Sequence, residues 1–191
     1  IAIGAGTLAL EVTDGIGRDG GLPPIAAAYV PVGDGSLIAG VGVWLRAHAP
    51  GVRVIGVQVQ SAPAMALSWR TGRVEVVAPE PSRADGLASG TGNADLLPLL
   101  RRVVDDFVLV PEEGLLDAQR ELHEVLGITA EASAAASWSA ARSASEAGPG
   151  ARSESEAVPA GQGGRGGARL VIVTGSNSWP GDFGELEAAT K

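Results

Sequence analysis

Cysteine is absent from this chain of 191 residues, which excludes disulfides, thiolate metal sites and cysteine nucleophiles within it. Lysine occurs once, at Lys191, and histidine twice, at His48 and His123, so the sequence predicts no metal site. Acidic residues outnumber basic ones by 22 to 14, and the net charge of −8 argues against a nucleic-acid partner. No apolar run approaches the length of a membrane span, so we expect no membrane contact and, by default, a cytoplasmic location.

The apolar content is high enough for a substantial core. Hydrophobic residues make up 45% of the chain and the mean hydropathy is +0.18, and we expect residues 1–127 to be globular. The most informative stretch runs from Ala27 to Val57. Its pattern predicts a buried strand over Ala27–Val32, a helix over Ser36–Ala49 that ends at Pro50-Gly51, and a second buried strand over Arg53–Val59. This order implies a right-handed parallel βαβ unit.

The remaining segments continue the same alternation. Continuous apolar strands are typical of a sheet covered on both faces, so we predict an α/β fold in which helices cover both faces of a parallel sheet, giving three layers. Further strands are predicted over Asp106–Val110 and Leu170–Val173. Further helices are predicted over Gly6–Ile16, Ala62–Arg70 and Ala130–Ala141, the first with Leu8, Val12 and Ile16 on one face. Another helix is predicted to have Pro111 as its first residue (N1) and to end at Gly127, which would be its C-cap. Residues 143–168 are rich in Ser, Ala, Gly and Glu and are predicted to be a disordered insert.

The turn Gly33-Asp34-Gly35-Ser36 lies between a predicted strand and a predicted helix. Backbone N–H groups converge at such a place, and glycines allow an anion to approach closely, so the turn is a candidate phosphate site. Ser36 can serve as the helix N-cap and as a phosphate donor. Asp34 argues against phosphate unless its carboxylate points outward. A plain turn with a serine cap explains the same residues about equally well.

Two further patterns have a functional and a structural interpretation. Gly4, Gly6 and Ala9 fit the G-x-G-x-x-A form of a dinucleotide fingerprint, but that pattern needs a strand before it. Glycines that open a tightly packed helix are the favoured interpretation. Thr174 follows the last predicted strand, where its hydroxyl can contact a ring nitrogen or cap a turn.

Six segments in order together resemble the fold-type II pyridoxal-phosphate enzymes, in their serine/threonine dehydratase (ammonia-lyase) branch, whose fold is tryptophan synthase beta-like. VPVGDGSLIAGV resembles the family's VPVGGGGLxAG, and VRVIGVQ its strand ending in I-G-V-E. The other four are GAGTLALEV, which resembles G-x-G-T-x-x-x-E, ADGLA, which resembles A-D-G-I-A, EASAAA, which resembles E-P-x-G-A, and VTGSN, which resembles S-G-G-N.

The resemblance implies a cofactor, pyridoxal 5'-phosphate, and a role for particular residues. The residues that would hold its phosphate are Gly33, Asp34, Gly35, Ser36 and Leu37, and Thr174 would contact the pyridine nitrogen. The implied reaction is β-elimination of the hydroxyl of serine or threonine, which gives a 2-oxo acid and ammonia. The family also implies a small amino-acid substrate and a homodimer.

This chain departs from the family pattern in several ways. Asp34 and Ser36 replace two loop glycines, and Gln58 and Ala64 stand where metal-dependent members carry acidic ligands, so we expect no metal. We expect residues 1–191 to be part of the large, phosphate-binding domain. The small domain and the Schiff-base lysine would lie before Ile1, since Lys191 is too late in the chain to replace that lysine. We therefore assign no catalytic residue to this chain. We expect it to be a C-terminal fragment that is inactive by itself and needs the missing part for activity.

Two other functions stay open. A non-catalytic relative of the same fold is supported by Asp34, and a dinucleotide-binding oxidoreductase domain by Gly4, Gly6 and Ala9.

Overall fold

The computed structural model describes residues 2–15, 24–146 and 167–175. Their sheet has four strands in the order β3-β2-β1-β4, and every neighbouring pair is parallel. The strands are β1 (Ile25–Pro31), β2 (Arg53–Val59), β3 (Asp106–Val110) and β4 (Ala168–Val171). The helices are α1 (Ala2–Gly15), α2 (Ser36–His48), α3 (Ala64–Thr71), α4 (Leu97–Val103), α5 (Glu113–Leu126) and α6 (Ala132–Glu146), with a short 3₁₀ turn at Asp85–Leu87.

Helices cover both faces of this sheet, which confirms the predicted three-layer α/β fold. Side chains alternate along each strand, so neighbouring residues of β2 enter different cores. Val54 packs with Ile38 of α2 and Leu100 of α4 on one face. Ile55 packs with residues of α5 and α6 on the other. None of the described helices is both long and apolar enough to span a membrane.

Helix α1 differs from its prediction. It begins at Ala2, four residues before the predicted start, and its buried residues are Gly6 and Ala9 instead of the predicted Leu8 and Val12, which are half-buried. A Cβ at Gly40 of α2 would lie 2.8 Å from the backbone nitrogen of Gly6. The two helices therefore touch through their backbones, a contact that only small residues allow. Ile16, the third residue of the predicted face, lies outside the described residues.

Other predicted boundaries are corrected as well. Pro111 is not part of α5, which begins at Glu113 with Glu112 at its N-cap. Gly127 is the predicted left-handed C-cap, with a φ of 65°. Residues 143–146 of the predicted insert belong to α6, because the alanine-rich helix continues to Glu146, and Ala168 already pairs in β4. The remaining residues of that insert, 147–166, lie outside the described residues.

Gly56 lies in β2 directly beneath a buried aromatic ring. A Cβ at this position would lie 2.6 Å from Cε1 of Phe107, a side chain with no solvent exposure. Since the ring is enclosed on all sides, it has no room to move away. The absence of a side chain at Gly56 is therefore a packing requirement of the sheet.

We predict that Gly56→Ala destabilises the protein by about 1–3 kcal/mol, because overpacking forces a shift of the ring or the strand. Gly51→Ala is the matched control, since nothing lies within 4 Å of a Cβ there. Urea unfolding followed by circular dichroism measures both. Equal midpoints for the two variants would contradict this account of Gly56.

The Asp105 carboxylate joins the start of β2 to α2. Its Oδ2 accepts the backbone N–H of Val54 at 2.7 Å, and its Oδ1 pairs with Arg46 of α2 at 2.5 Å. The backbone N–H of Asp105 also donates to the Val54 carbonyl at 2.8 Å. One side chain thus pairs a backbone donor in the sheet and fixes the end of the helix above it.

Asp105→Ala is expected to cost about 1–3 kcal/mol of unfolding free energy, because the Val54 N–H is left without its acceptor. The control is Asp117→Ala, which breaks only the exposed ion pair with Arg120 and is expected to cost at most about 1 kcal/mol. Chemical denaturation of both variants checks the difference. Similar losses would show that the Val54 contact contributes nothing beyond surface charge.

Candidate functional site

The carboxyl ends of all four strands lie at one edge of the sheet, because the strands are parallel. In parallel α/β sheets this edge is where ligands bind. The segments that leave it lead to Gly33 after β1, Ser61 after β2, Glu112 after β3 and Thr174 after β4. The resembling segments that follow β1 and β4 thus begin at the same edge.

The turn Gly33–Ser36 connects β1 to α2 as predicted. Gly35 occupies the N-cap position with a φ of 95°, and it is buried. A Cβ there would lie 2.8 Å from Leu100 Cδ1, so both the left-handed conformation and the packing favour glycine. Ser36 is the first residue of the helix. The prediction that Ser36 is the N-cap is wrong, because the left-handed Gly35 already ends the turn.

Asp34 is exposed, but its carboxylate does not point away from the turn. Its Oδ1 accepts the backbone N–H of Ser36 at 2.9 Å, and its Oδ2 accepts the Ser36 hydroxyl at 2.7 Å. The carboxylate therefore lies at the N-terminus of α2, where the helix dipole favours a negative charge. Leu37, the next predicted residue, is half-buried and packs against the core of this face.

The loop around Gly86 packs directly against the Gly33–Ser36 turn. A Cβ on Gly33 would lie 2.4 Å from the carbonyl oxygen of Gly86, so the two backbones touch. The Gly86 N–H donates to the hydroxyl of Ser133 in the first turn of α6, at 3.1 Å. Three segments that are far apart in the sequence are therefore joined around Gly33.

The start of α6 also contacts the turn after β4. The backbone N–H of Glu131 donates to the carbonyl oxygen of Gly175 at 3.2 Å. Gly175 has a φ of 95°, and a side chain on it would collide with the Glu131 carboxylate. Thr174, directly before it, is half-buried. The neighbouring Ser176 and Asn177 of the VTGSN segment lie outside the described residues.

The structure thus links four of the resembling segments through a series of contacts, from Gly33 to Gly86, to Ser133 with Glu131, and to Gly175. No direct contact between Thr174 and the Gly33–Ser36 turn is part of this series. The positioning role of Ser133 was missed by the sequence analysis. A serine in the first turn of a helix is a signal, but it does not reveal which distant N–H the hydroxyl meets.

The dinucleotide fingerprint is not supported. Gly4 and Gly6 lie within α1, which already begins at Ala2, and not in a turn that precedes a helix. The fingerprint needs a tight turn between a strand and a helix. Gly6 instead serves the contact with α2, which confirms the packing interpretation.

Gln58, at a position where the resemblance places a metal ligand, is completely buried. Its Oε1 accepts the N–H of Ala66 in α3 at 2.8 Å, while its Nε2 has no partner in the structure. Within the described ranges, no group of three or more His, Cys, Asp or Glu side chains is arranged to hold a metal ion. The expectation of a metal-free protein stays a prediction.

Two other polar features do not involve the predicted residues. The side-chain hydrogen bond from Arg73 lowers the pKa of the Glu75 carboxyl, on the segment that follows α3. A solvent-open cavity of about 480 Å³ is lined by Pro81, Ser82, Arg83, Glu112 and Glu113. Both carboxylate oxygens of Glu112 are already engaged, by the Ser61 hydroxyl and the Arg83 N–H.

An α/β sheet with a glycine turn at a helix N-terminus and a polar turn after a neighbouring strand defines a candidate cofactor-binding domain. The chain belongs to the pyridoxal-phosphate-dependent enzyme family, whose sequence pattern matches residues 1–153. The family resemblance is therefore confirmed, as is its cofactor, pyridoxal 5'-phosphate.

Particular relatives are ammonia-lyases and racemases. An L-threonine ammonia-lyase of Thermotoga maritima is 38% identical over 135 residues, which are 71% of this chain and 32% of that protein. A serine racemase of Oryza sativa is 30% identical over 140 residues, covering 73% of this chain and 39% of the relative. The solved structure of maize serine racemase superposes with a TM-score of 0.76 at 25% identity, over 98% of this chain and 54% of that one. The chain thus spans about a third of the curated relatives that it matches.

We predict that Gly33→Ala weakens cofactor binding by the full-length protein, because the added methyl group separates the Gly33 turn from the Gly86 carbonyl. We expect a loss of about tenfold or more, which is about 1.4 kcal/mol or more of binding free energy, if this turn holds the phosphate as the resemblance implies. Gly4→Ala is the control, with nothing within 4 Å of its Cβ. Equilibrium dialysis against pyridoxal 5'-phosphate gives the dissociation constants, and unchanged affinity in Gly33→Ala would show that the contact is not needed.

Proposed function

We propose that this chain is the phosphate-binding part of a pyridoxal-phosphate-dependent enzyme that removes the β-hydroxyl of serine or threonine, forming a 2-oxo acid and ammonia. The observation that carries the proposal is the contact series from Gly33 through Gly86 and Ser133 to Gly175. It joins the segments that resemble the cofactor-binding segments of the dehydratases. The names of the relatives support a small hydroxy amino acid as the substrate.

The residues of the Gly33–Ser36 turn fit a phosphate group in two respects. Glycine at positions 33 and 35 lets the Gly86 carbonyl and Leu100 pack against the turn, since a Cβ at either position would collide with them, and this packing fixes the backbone that would face the phosphate. The turn also ends at the N-terminus of a 13-residue helix, whose first N–H groups and dipole favour an anion. We assign Gly33, Asp34, Gly35, Ser36 and the backbone of Leu37 to the phosphate, Asp34 through its backbone only, since its carboxylate would repel the anion.

Thr174 is proposed to bind the pyridine nitrogen. When bound, the cofactor supplies an electron-withdrawing ring that stabilises negative charge on the substrate. The Thr174 hydroxyl keeps its own proton and donates a hydrogen bond to the ring nitrogen, which withdraws less charge than a carboxylate partner would. This favours elimination of a β-hydroxyl over chemistry that needs a long-lived carbanion.

The proposal gives this chain binding and orienting roles only. Within the described residues, no acid or base is assigned to the reaction, and we propose that the lysine that binds the cofactor is not part of these 191 residues. We also propose a homodimer for the full-length protein, as the resemblance implies.

A non-catalytic relative of the same fold is the second candidate. The specific observation in its favour is that the Asp34 carboxylate lies on the Ser36 donors.

We predict that Thr174→Val in the full-length protein shifts the absorbance maximum of the bound cofactor and lowers elimination activity by about tenfold or more. The reason is that a hydrogen bond to the ring nitrogen changes how strongly the ring withdraws electrons. The change replaces the hydroxyl with a methyl group of nearly equal size, so the fold is expected to persist.

Thr7→Val is the matched control, because Thr7 is exposed on α1 and its hydroxyl bonds only the Gly4 carbonyl there. Spectra and 2-oxo acid formation are measured for both variants. A protein whose spectrum and activity are unaffected by Thr174→Val would disprove the assigned role of Thr174. A wild-type protein that binds the cofactor but forms no 2-oxo acid would favour the non-catalytic candidate.

A further inference from the structure

Both carboxylate oxygens of Asp34 are used within the turn that is proposed to hold the phosphate. One accepts the Ser36 N–H at 2.9 Å and the other accepts the Ser36 hydroxyl at 2.7 Å. These are two of the donors that a bound phosphate needs. The carboxylate therefore carries the same sign of charge as a phosphate and accepts the hydrogen bonds that a phosphate would accept at this position.

The helix itself favours this contact. Gly35 at the N-cap has no side chain to satisfy the first N–H groups of α2, and Asp34 supplies the missing acceptor from one residue earlier. A carboxylate at a helix N-terminus is stabilised by the same dipole that attracts phosphate. The two anions cannot occupy the Ser36 donors together, because they would share the same hydrogen atoms and repel each other.

Asp34 can leave without disturbing the fold. Its side chain is exposed, and rotation about its own χ angles moves the carboxylate into solvent while Gly33 and Gly35 keep their packing. The turn thus has a state in which Asp34 covers the Ser36 donors and a state in which they are free.

We propose that Asp34 is a tethered competitor of the cofactor phosphate: phosphate binds only when the Asp34 carboxylate leaves Ser36. The inference rests on the proposed function, since it concerns the same turn. The apparent affinity for the phosphate is then the intrinsic affinity multiplied by the fraction of molecules in which Asp34 is displaced. The residue makes cofactor loading reversible at a turn that would otherwise bind phosphate tightly.

The experiment compares pyridoxal 5'-phosphate with pyridoxal, which has the same ring and aldehyde but no phosphate. Isothermal titration calorimetry of the full-length protein gives both dissociation constants, and their ratio isolates the phosphate contribution. We expect Asp34→Gly to tighten binding of pyridoxal 5'-phosphate by about tenfold, since hydrogen bonds to a charged group no longer have to be broken. Binding of pyridoxal should not change. Asp95→Gly, which removes an equally exposed carboxylate from another turn, should leave both constants as they are.

Ser36→Ala tests the competition directly. In the wild-type background it removes a donor from the phosphate but also loosens Asp34, so the two effects oppose each other. In the Asp34→Gly background only the lost donor remains, and the affinity for pyridoxal 5'-phosphate should fall several-fold. Equal effects of Ser36→Ala in both backgrounds would overturn the proposal.

Asp34→Asn keeps an oxygen acceptor for the Ser36 N–H and loses the charge, and it gives the same test if Asp34→Gly does not fold. The affinity of Asp34→Asn for pyridoxal 5'-phosphate is expected to lie between that of the wild type and that of Asp34→Gly. Suppose that the wild type binds pyridoxal 5'-phosphate more tightly than pyridoxal. The proposal is then overturned if neither Asp34→Gly nor Asp34→Asn binds pyridoxal 5'-phosphate more tightly than the wild type does. If no protein in the series distinguishes the two ligands, the turn is not a phosphate site, and the proposed function fails together with this inference.

Discussion

The central position of β1 is the constraint on which the rest of the structure depends. It pairs in parallel with β2 on one side and β4 on the other, although β4 follows it by more than a hundred residues along the chain. Parallel pairing forces every connection to return over a face of the sheet, so the helices form outer layers. It also directs the ends of the strands to one edge. That the Gly33 and Gly175 turns lie at the same edge is thus a consequence of strand order and direction, before any individual contact is made.

Backbone contacts then determine how closely the loops at this edge approach. Gly33 lies against the Gly86 carbonyl, and Gly175 beside the Glu131 carboxylate. At Gly175 a side chain would push apart two segments that the hydrogen bond from the Glu131 N–H to the Gly175 carbonyl holds together. At Gly33 it would displace the turn from a loop that the Gly86 N–H anchors to Ser133. The same principle acts inside the fold at Gly40, against α1. Gly33 and Gly40 therefore mark places where two backbones touch, while Gly175 makes room for a side chain.

Much of the fold follows from local sequence patterns. The bounds of β2 and β3 agree with prediction because each is a short apolar run that begins at charged residues. The buried face of α1 was predicted wrongly, because hydrophobic spacing favours Leu8 and Val12, whereas Gly6 and Ala9 are buried by the approach of α2. Helix α4 was missed. Residues 96–100, around Pro98, are all apolar and are followed by two arginines, so this short segment has no helical periodicity that could predict it.

The candidate site divides in the same way. The order of six short segments was enough to indicate the family, since each segment carries glycines or polar residues that a particular turn requires. Which hydroxyl meets which N–H was not predictable, as Ser133 and Gly86 show, because that contact depends on how a helix and a loop 47 residues apart in sequence are oriented. The contact of Thr174 with a ring nitrogen stays a prediction.

Asp34 shows why a sequence pattern alone cannot decide between two anions. In the sequence, Asp34 is a replacement of one of the family's loop glycines. That replacement indicates weaker phosphate binding through charge repulsion, and repulsion requires only that the carboxylate be near the phosphate. The geometry gives a different reason, because the carboxylate completes the helix that the phosphate would complete. If phosphate binds at this turn as proposed, helix stability and phosphate affinity are opposed there, because the contact of Asp34 with Ser36 that stabilises the free helix must be given up on binding. A glycine in the same place would leave the N-terminus of α2 less stable without ligand and more responsive to it.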